Sequence, residues 1–283
     1  MGISHVIRGE DHIPNTPKQI LLYNALGYGL PVFAHLPMIL GSDKKRLSKR
    51  HGALGIMTYR DKGYQPEPVI NYLALLGWNP GTEEEIMDLD RLAKLYNMSK
   101  VQKKSAVFDF KKLSWISGQY LRNQKNSKIL SNLRGINKSW GIKKNNKHCE
   151  EIIELNKVRA NTLLDLIQNT EYFFSDPKFE DENNFQKLIN KDSIYYMTKY
   201  LIVLEKIKDW NIESIEKKSK EFMQDNQIAF GKLMKPIRFV LCGTLNGASI
   251  FDIIMYLGKQ ETIFRLKNVL LTKIHKKKNE KKK

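Results

Sequence analysis

The stretch DKKRLSKRHGA, Asp43–Ala53, sets five lysines and arginines within eleven residues. Cations at that density call for a negative partner. The loop follows an apolar run, VFAHLPMIL (Val32–Leu40), and is bounded by Gly41 and Gly52. A second chemistry-bearing stretch lies near the start. HVIRGEDH, His5–His12, brings Arg8, Glu10, Asp11 and His12 together just after four residues that read as a strand. In open α/β sheets, ligands bind at the carboxyl ends of strands, so Arg8 stands where a ligand would be met.

These two stretches need a scaffold. His5–Arg8 reads as a strand stopped by Gly9. NTPKQILLYNALG then reads as a helix, with Asn15 or Thr16 as N-cap, Pro17 at the first helical position and Gly27 as the stop. Thr16 is assigned to capping and packing with Asn15 and Gln19, and His35 is read as a structural residue behind the site. Val32–Leu40 is a second strand, interrupted by Pro37. Strand, helix, strand and basic loop form the edge of a nucleotide-binding α/β sheet. Neither GxxxxGK nor GxGxxG occurs, which excludes the usual P-loop and dinucleotide fingerprints.

Beyond about Thr58 the pattern is helical. EPVINYLALLGW is apolar almost all round, which predicts a buried helix ending at Gly77. TEEEIMDLDRLAKLY is amphipathic through Ile86, Leu89, Leu92 and Leu95. FDFKKLSWISGQYLR predicts a short helix capped by Asp109 and stopped by Gly118. Arg122–His148 is polar and is read as a boundary region. The remainder is helical, with Leu163, Leu166 and Ile167 on one face and Met197, Tyr200, Leu201 and Leu204 on another. SIFD, Ser249–Asp252, is a capping-box candidate.

Length and composition bound the function. The chain has 283 residues, 41% hydrophobic, enough for more than one core. No apolar run approaches the ~18 residues of a transmembrane helix. MGISHVIRGEDH lacks the basic and apolar regions of a signal peptide, which points to the cytoplasm. Cys149 and Cys242 show no metal-ligand spacing, and no metal site is expected. The formal charge of +18, from 48 Lys and Arg against 30 Asp and Glu, points to nucleic acid or to a lysine-rich proteome. Charge alone leaves both open.

HVIRGEDH, NTPKQILLYNALG, FAHLPMILG and RLSKRHGA, in this order, resemble the second half of the catalytic domain of bacterial-type glutamyl-tRNA synthetases. YQPEPVINYLALLGW, VFDFKKLSWISGQYLR and GKLMKPIRFVLCGTLNGASIFDIIMYLGK resemble that family's later domains. The resemblance implies a multidomain, mostly α protein. Residues 1–57 would be a partial Rossmann-like α/β segment of a class I synthetase, 58–123 a helical stem-contact domain and 124–272 an α-helical anticodon-binding region. Residues 273–283 would be a disordered basic tail.

The resemblance also assigns roles. RLSKR, Arg46–Arg50, is similar to the KMSKS signature, with arginine at its first position where lysine is usual. Lys49, Arg46 and Ser48 would then be catalytic, and Lys49, Glu10 and Arg50 would contact ATP. Arg8 and His12 would hold L-glutamate, and His51 would approach the nucleotide. Magnesium (Mg2+) would accompany ATP, and the partner would be tRNA-Glu, or tRNA-Gln in a variant that glutamylates it for later amidation. A monomer is expected. The tRNA-binding residues are not assigned, Arg122, Arg134, Arg159 and Arg238 being candidates. Trp115, Tyr120, Phe173 and Phe174 are read as core. Nothing here resembles the family's HIGH-type signature, and family members carry a similar MGI ahead of this strand. The chain is therefore expected to be the rear portion of a longer enzyme, inactive alone. The alternatives are a truncated paralogue that binds tRNA without catalysis and, on charge alone, an unrelated DNA-binding protein.

Overall fold

The computed structural model describes residues 2–47, 55–179 and 182–280, with Glu182 and 272–280 as backbone alone. It divides into two units, one of residues 1–124 with 161–164 and the other of 125–160 with 165–283.

The first unit opens with β1 (His5–Gly9), a short 3-10 turn (Glu10–Asn15), α1 (Thr16–Ala25) and β2 (Val32–Leu36). The two strands pair in parallel, with Arg8 directly opposite His35 and Gly9 opposite Leu36. α1 has Pro17 in its first turn, as its sequence predicts, but Asn15 makes no side-chain capping bond. No residue of β1, α1 or β2 is fully buried.

Among its described residues this unit also holds four α-helices, α2 (Ile56–Asp61), α3 (Pro66–Gly77), α4 (Leu89–Leu95) and α5 (Phe110–Asn123). α3 packs on α5, and Tyr59, Val69, Tyr72, Phe108, Leu113 and Ile116 form one core. Trp78, Met87 and Leu92 form a smaller one. α3 ends at Gly77 as predicted, yet it is not buried all round, because Ile70 and Leu73 face outward. α4 begins only at Leu89. The Asp88 carboxylate accepts from the Arg91 amide and caps it there, leaving Ile86 ahead of the helix.

Gly118 does not stop α5; the helix runs on to Asn123. Its physical reason is proximity rather than termination. A Cβ on Gly118 would run into Asn161 Oδ1, so the missing side chain lets residue 161 approach. The neighbouring Ser117 hydroxyl donates to the Asn161 carbonyl. Asp109 caps α5 as expected, accepting from the amides of Lys111 and Lys112.

The second unit is helical among its described residues. α6 (Asn126–Ile136) and α7 (Asn146–Lys157) pack together, so the polar stretch read as a boundary region contributes core residues Ile129, Leu130 and Leu133. α8 (Leu163–Thr170) and α9 (Glu182–Leu188) follow, then α10 (Lys191–Lys206), α11 (Ile212–Asp225), α12 (Phe230–Cys242), α13 (Ile250–Leu257) and α14 (Lys259–Glu280). Met197, Tyr200, Leu201 and Leu204 are buried on one face of α10, as their spacing predicts. Ser249 stands at the N-cap of α13 but its side chain makes no capping bond, so the expected capping box does not form. The backbone of α14 stays helical to Glu280, beyond the boundary at residue 272 that the charge run suggested.

Arg265 on α14 is buried in this unit. Its Nε donates to Glu261 Oε1 at 2.6 Å, Nη1 donates to the carbonyls of Tyr172 and Leu241, and Nη2 donates to that of Ser175. A buried guanidinium is tolerated only when paired and hydrogen-bonded, and here one carboxylate and three carbonyls surround it. Among the described residues no helix is long and apolar enough to cross a membrane.

Candidate active site

The parallel register brings Arg8, His35 and Thr16 together. Arg8 Nε donates to His35 Nε2 at 3.3 Å, and Arg8 Nη2 donates to Thr16 Oγ1 at 2.8 Å. Thr16 Oγ1 and His35 Nε2 are 3.1 Å apart. The Phe33 ring, two residues before His35 on the same face of β2, lies 5.3 Å from Arg8 Cζ. Three segments thus meet on one side chain at the carboxyl end of β1, where the sequence places a ligand-binding arginine. His35, read from the sequence as a residue behind the site, does stand against Arg8. Thr16, read as a capping and packing residue, was not joined to Arg8 by sequence reasoning, and only the strand register could have brought the three together.

The remaining residues of HVIRGEDH are engaged as follows. Glu10 Oε1 accepts from the Met38 amide at 3.0 Å, which ties the turn after β1 to the stretch after β2. Asp11 Oδ2 pairs with Arg46 Nη2 at 3.0 Å. His12 is exposed, with Asn15 Nδ2 donating weakly to its Nδ1 at 3.5 Å. An apolar open hollow of about 490 Å³ adjoins the Arg8 cluster, lined by Ile13, Thr16, Pro17, Ile20, Leu21 and His35.

The root of the cationic loop is a hairpin. Leu40 and Arg46 bridge in antiparallel fashion, and the Leu47 amide donates to the Ile39 carbonyl. Gly41 donates to the Lys45 carbonyl and accepts from the Lys44 amide, so it belongs to a bonded turn. Lys44 takes the positive φ of 61°. The ascending arm is anchored through Leu40, which donates to the Ala106 carbonyl and accepts from the Phe108 amide. Ser48, Lys49, Arg50, His51 and Gly52 lie outside the described residues. The structure therefore brings Arg8, Glu10, Asp11 and Arg46 to one region of the first unit.

Among the described residues no group of three or more His, Cys, Asp or Glu side chains gathers to hold a metal ion. Glu10 and Asp11 are already bonded to Met38 and Arg46.

In the second unit an open hollow of about 740 Å³ is lined in part by Trp140, Lys143, Lys144, Glu171, Phe174 and Arg265. Phe174 meets Trp140 edge-on at 4.7 Å and Phe173 is buried, in line with a packing role for both phenylalanines. Trp115 departs from the core reading: it is 43% exposed on the outer face of α5. Of the candidate arginines, Arg159 is exposed, with Nη1 donating to the Leu155 carbonyl. Arg134 and Arg238 are partly buried, donating to Asn146 Oδ1 and the Ala248 carbonyl.

A parallel strand–helix–strand edge with a cationic hairpin, followed by helices, fits the two family models that the chain matches. Residues 1–115 match the catalytic domain of class I tRNA synthetases (E and Q), and residues 122–270 match the anticodon binding domain. The chain belongs to the family of bacterial-type glutamyl-tRNA synthetases. It is 39% identical over 271 residues to a glutamate–tRNA ligase of Syntrophotalea carbinolica, covering 95% of this chain and 58% of that one. It is 37% identical over 273 residues to glutamate–tRNA ligase 1 of Campylobacter hominis, covering 96% and 58%. The crystal structure of a glutamate tRNA ligase from Elizabethkingia meningosepticum in complex with its amino acid superposes with a TM-score of 0.81 at 32% identity, covering 95% of this chain and 57% of that one. The chain thus spans less than three fifths of the length of these relatives.

Proposed function

We propose that the chain is the portion of a glutamate–tRNA ligase that carries the cationic phosphate loop, part of the glutamate pocket and the tRNA-reading domains. The complete enzyme activates L-glutamate with ATP to glutamyl-adenylate and transfers it to the 3′ end of tRNA-Glu. The observation that supports this best is the collinear similarity to glutamate–tRNA ligases over 95% of the chain. In this reading Arg8 pairs with a glutamate carboxylate, for which its planar fork is suited, and His12 lines the same pocket. The attacking carboxylate is ionised near pH 7, so no general base is required.

Lys49, Arg46 and Ser48 act on the leaving phosphates, where cations lower the barrier as charge accumulates. Glu10, Lys49 and Arg50 border the ATP site. The 3.0 Å pair between Arg46 and Asp11, the neighbour of Glu10, supports this reading. Magnesium enters as the partner of the ATP phosphates, since it is commonly held by substrate oxygens rather than a protein cage. Residues 1–57, 58–123 and 124–272 serve as catalytic edge, stem contact and anticodon reader, in a cytoplasmic monomer. Lysine and arginine phosphate contacts give the RNA its affinity.

The test is charging with labelled glutamate on tRNA-Glu and tRNA-Gln by the complete enzyme and by this chain alone. Charging of tRNA-Glu by the complete enzyme, lost on Lys49→Ala and weakened on Arg8→Ala through a large rise in the glutamate KM, is the expected result. The chain alone is expected to bind tRNA-Glu without charging it. Equal charging of tRNA-Gln would assign the enzyme to the variant that glutamylates both.

A further inference from the structure

From the edge-by-edge use of the Arg8 guanidinium we infer that Thr16 and His35 are positioning residues for glutamate recognition. This rests on the reading that Arg8 binds a glutamate carboxylate. A guanidinium has a side edge, formed by Nε–H and one Nη2–H, and an end edge, formed by Nη1 and the other Nη2–H. Each edge offers two parallel donors to one carboxylate. In this protein the side edge is filled: Nε donates to His35 Nε2 at 3.3 Å and Nη2 to Thr16 Oγ1 at 2.8 Å. Those two acceptors are themselves 3.1 Å apart, within hydrogen-bonding distance of each other. Among the described residues nothing accepts from Nη1. The end edge is the one left for a bidentate ligand.

The pairing also fixes the proton on His35. Nε2 accepts from a guanidinium that cannot lose its proton, so the neutral ring carries its hydrogen on Nδ1. A hydrogen on Nε2 would point at the Arg8 Nε–H. Thr16 Oγ1 can accept from Nη2 while its own hydrogen goes to His35 Nε2 or to the His12 carbonyl, 3.4 Å away. Phe33 closes one face of the guanidinium at 5.3 Å. With the side edge tied and one face covered, the rotation of the Arg8 fork is set before substrate arrives, and the ordering cost of binding falls.

Two measurements test this. The first uses the complete enzyme and compares charging by Thr16→Val, Thr16→Ser and Arg8→Ala. Thr16→Val keeps the side-chain shape and removes the acceptor. It should raise the glutamate KM about tenfold, the effect of one hydrogen bond to a charged group. The ATP KM should stay within about twofold, and Thr16→Ser should restore the glutamate KM. An unchanged glutamate KM in Thr16→Val, beside a large rise in Arg8→Ala, would overturn the inference and leave the role of Arg8 standing. An unchanged glutamate KM in Arg8→Ala would instead remove the underlying reading. The second measurement needs no activity: 15N NMR of the His35 ring in this chain. The Nδ1–H tautomer, with Nε2 as acceptor, is expected. An Nε2–H ring would overturn the arrangement.

Discussion

The Arg46 guanidinium and the Asp11 carboxylate meet at 3.0 Å, tying the descending arm of the cationic hairpin to the turn that follows β1. The two side chains are 66% and 35% exposed. Exposed ion pairs contribute about 0–1 kcal/mol. Asp11→Asn should therefore shift the denaturation free energy by less than about 1 kcal/mol. Chemical denaturation of the variant checks this, and a loss several times larger would show that the pair is a structural clamp.

Asn71 should be far less tolerant. It is fully buried in α3. Its Nδ2 donates to the Glu85 carbonyl at 3.1 Å, and its Oδ1 accepts from the Met87 amide at 2.8 Å and the Tyr120 hydroxyl at 2.9 Å. Burial, then Asp88 and Glu67, push the Tyr120 phenol up to about 12, so it remains a donor across the working range. Asn71→Ala strands the Glu85 carbonyl and the Met87 amide, each costing about 1–3 kcal/mol when unsatisfied, while the Tyr120 hydroxyl keeps the Met87 carbonyl as its acceptor. A loss of about 3 kcal/mol is expected, read as a lower urea midpoint. Parity with wild type would mean that the network contributes nothing.

Two glycines should respond in opposite directions to alanine. Gly243 ends α12 at φ 73°, and a Cβ there would overlap the Lys178 carbonyl oxygen. Gly243→Ala should cost upwards of about 2 kcal/mol, combining a left-handed backbone with a clash. Gly135, inside α6, has open space where a Cβ would go. Gly135→Ala should stabilise by about 0.5–1 kcal/mol. Thermal melts of the two variants are the check, and shifts of the same sign would contradict this account.

His148 gives the second unit an acid sensitivity. Burial, then the charge of Lys144, lower its pKa, opposed by Glu151; its ring lies 6.0 Å from that of Tyr256. The unfolded ring titrates near about 6.5. Below that pH the unfolded chain takes up a proton that the folded ring resists, so stability is full above it and declines as pH falls towards the depressed folded value. Between pH 7.5 and 5.5 the wild type should lose more stability than His148→Gln. Equal losses in paired urea titrations would remove His148 from the explanation.

Much of this was legible in the residues themselves. Gly9 and Pro37 punctuate β1 and β2, Pro17 starts α1, Gly77 ends α3, and Asp109 caps α5, because backbone preferences of these residue types act locally. What failed was non-local. Gly118 reads as a helix stop, and only the approach of Asn161, 43 residues on, shows why a side chain is missing there. Ser249 carries the right spacing for a capping box, but its side chain makes no capping bond in the fold. Arg265 has the composition of a surface cation and is instead enclosed by three carbonyls from two segments. The Arg8 cluster lies between these cases. Its arginine is visible from its place after a strand, whereas Thr16 and His35 become its partners only through a parallel register that sequence pattern does not specify.

The sparse burial around β1, α1 and β2 has a further consequence, for local opening of the chain. Parallel strands ordinarily rely on cover over both faces, yet here Leu21 and Leu26 of the α1 region are 69% and 65% exposed, and the strands bury no residue fully. Segments with few buried apolar contacts open at small free-energy cost and exchange their amide hydrogens fastest. Among the described residues of this chain alone, the Arg8 cluster thus rides on elements of sparse burial, while α10 and α12 bury whole faces. Hydrogen exchange should resolve the chain into a slow helical body and a fast strand edge, and anything that covers that edge would slow exchange at Arg8 and His35 together.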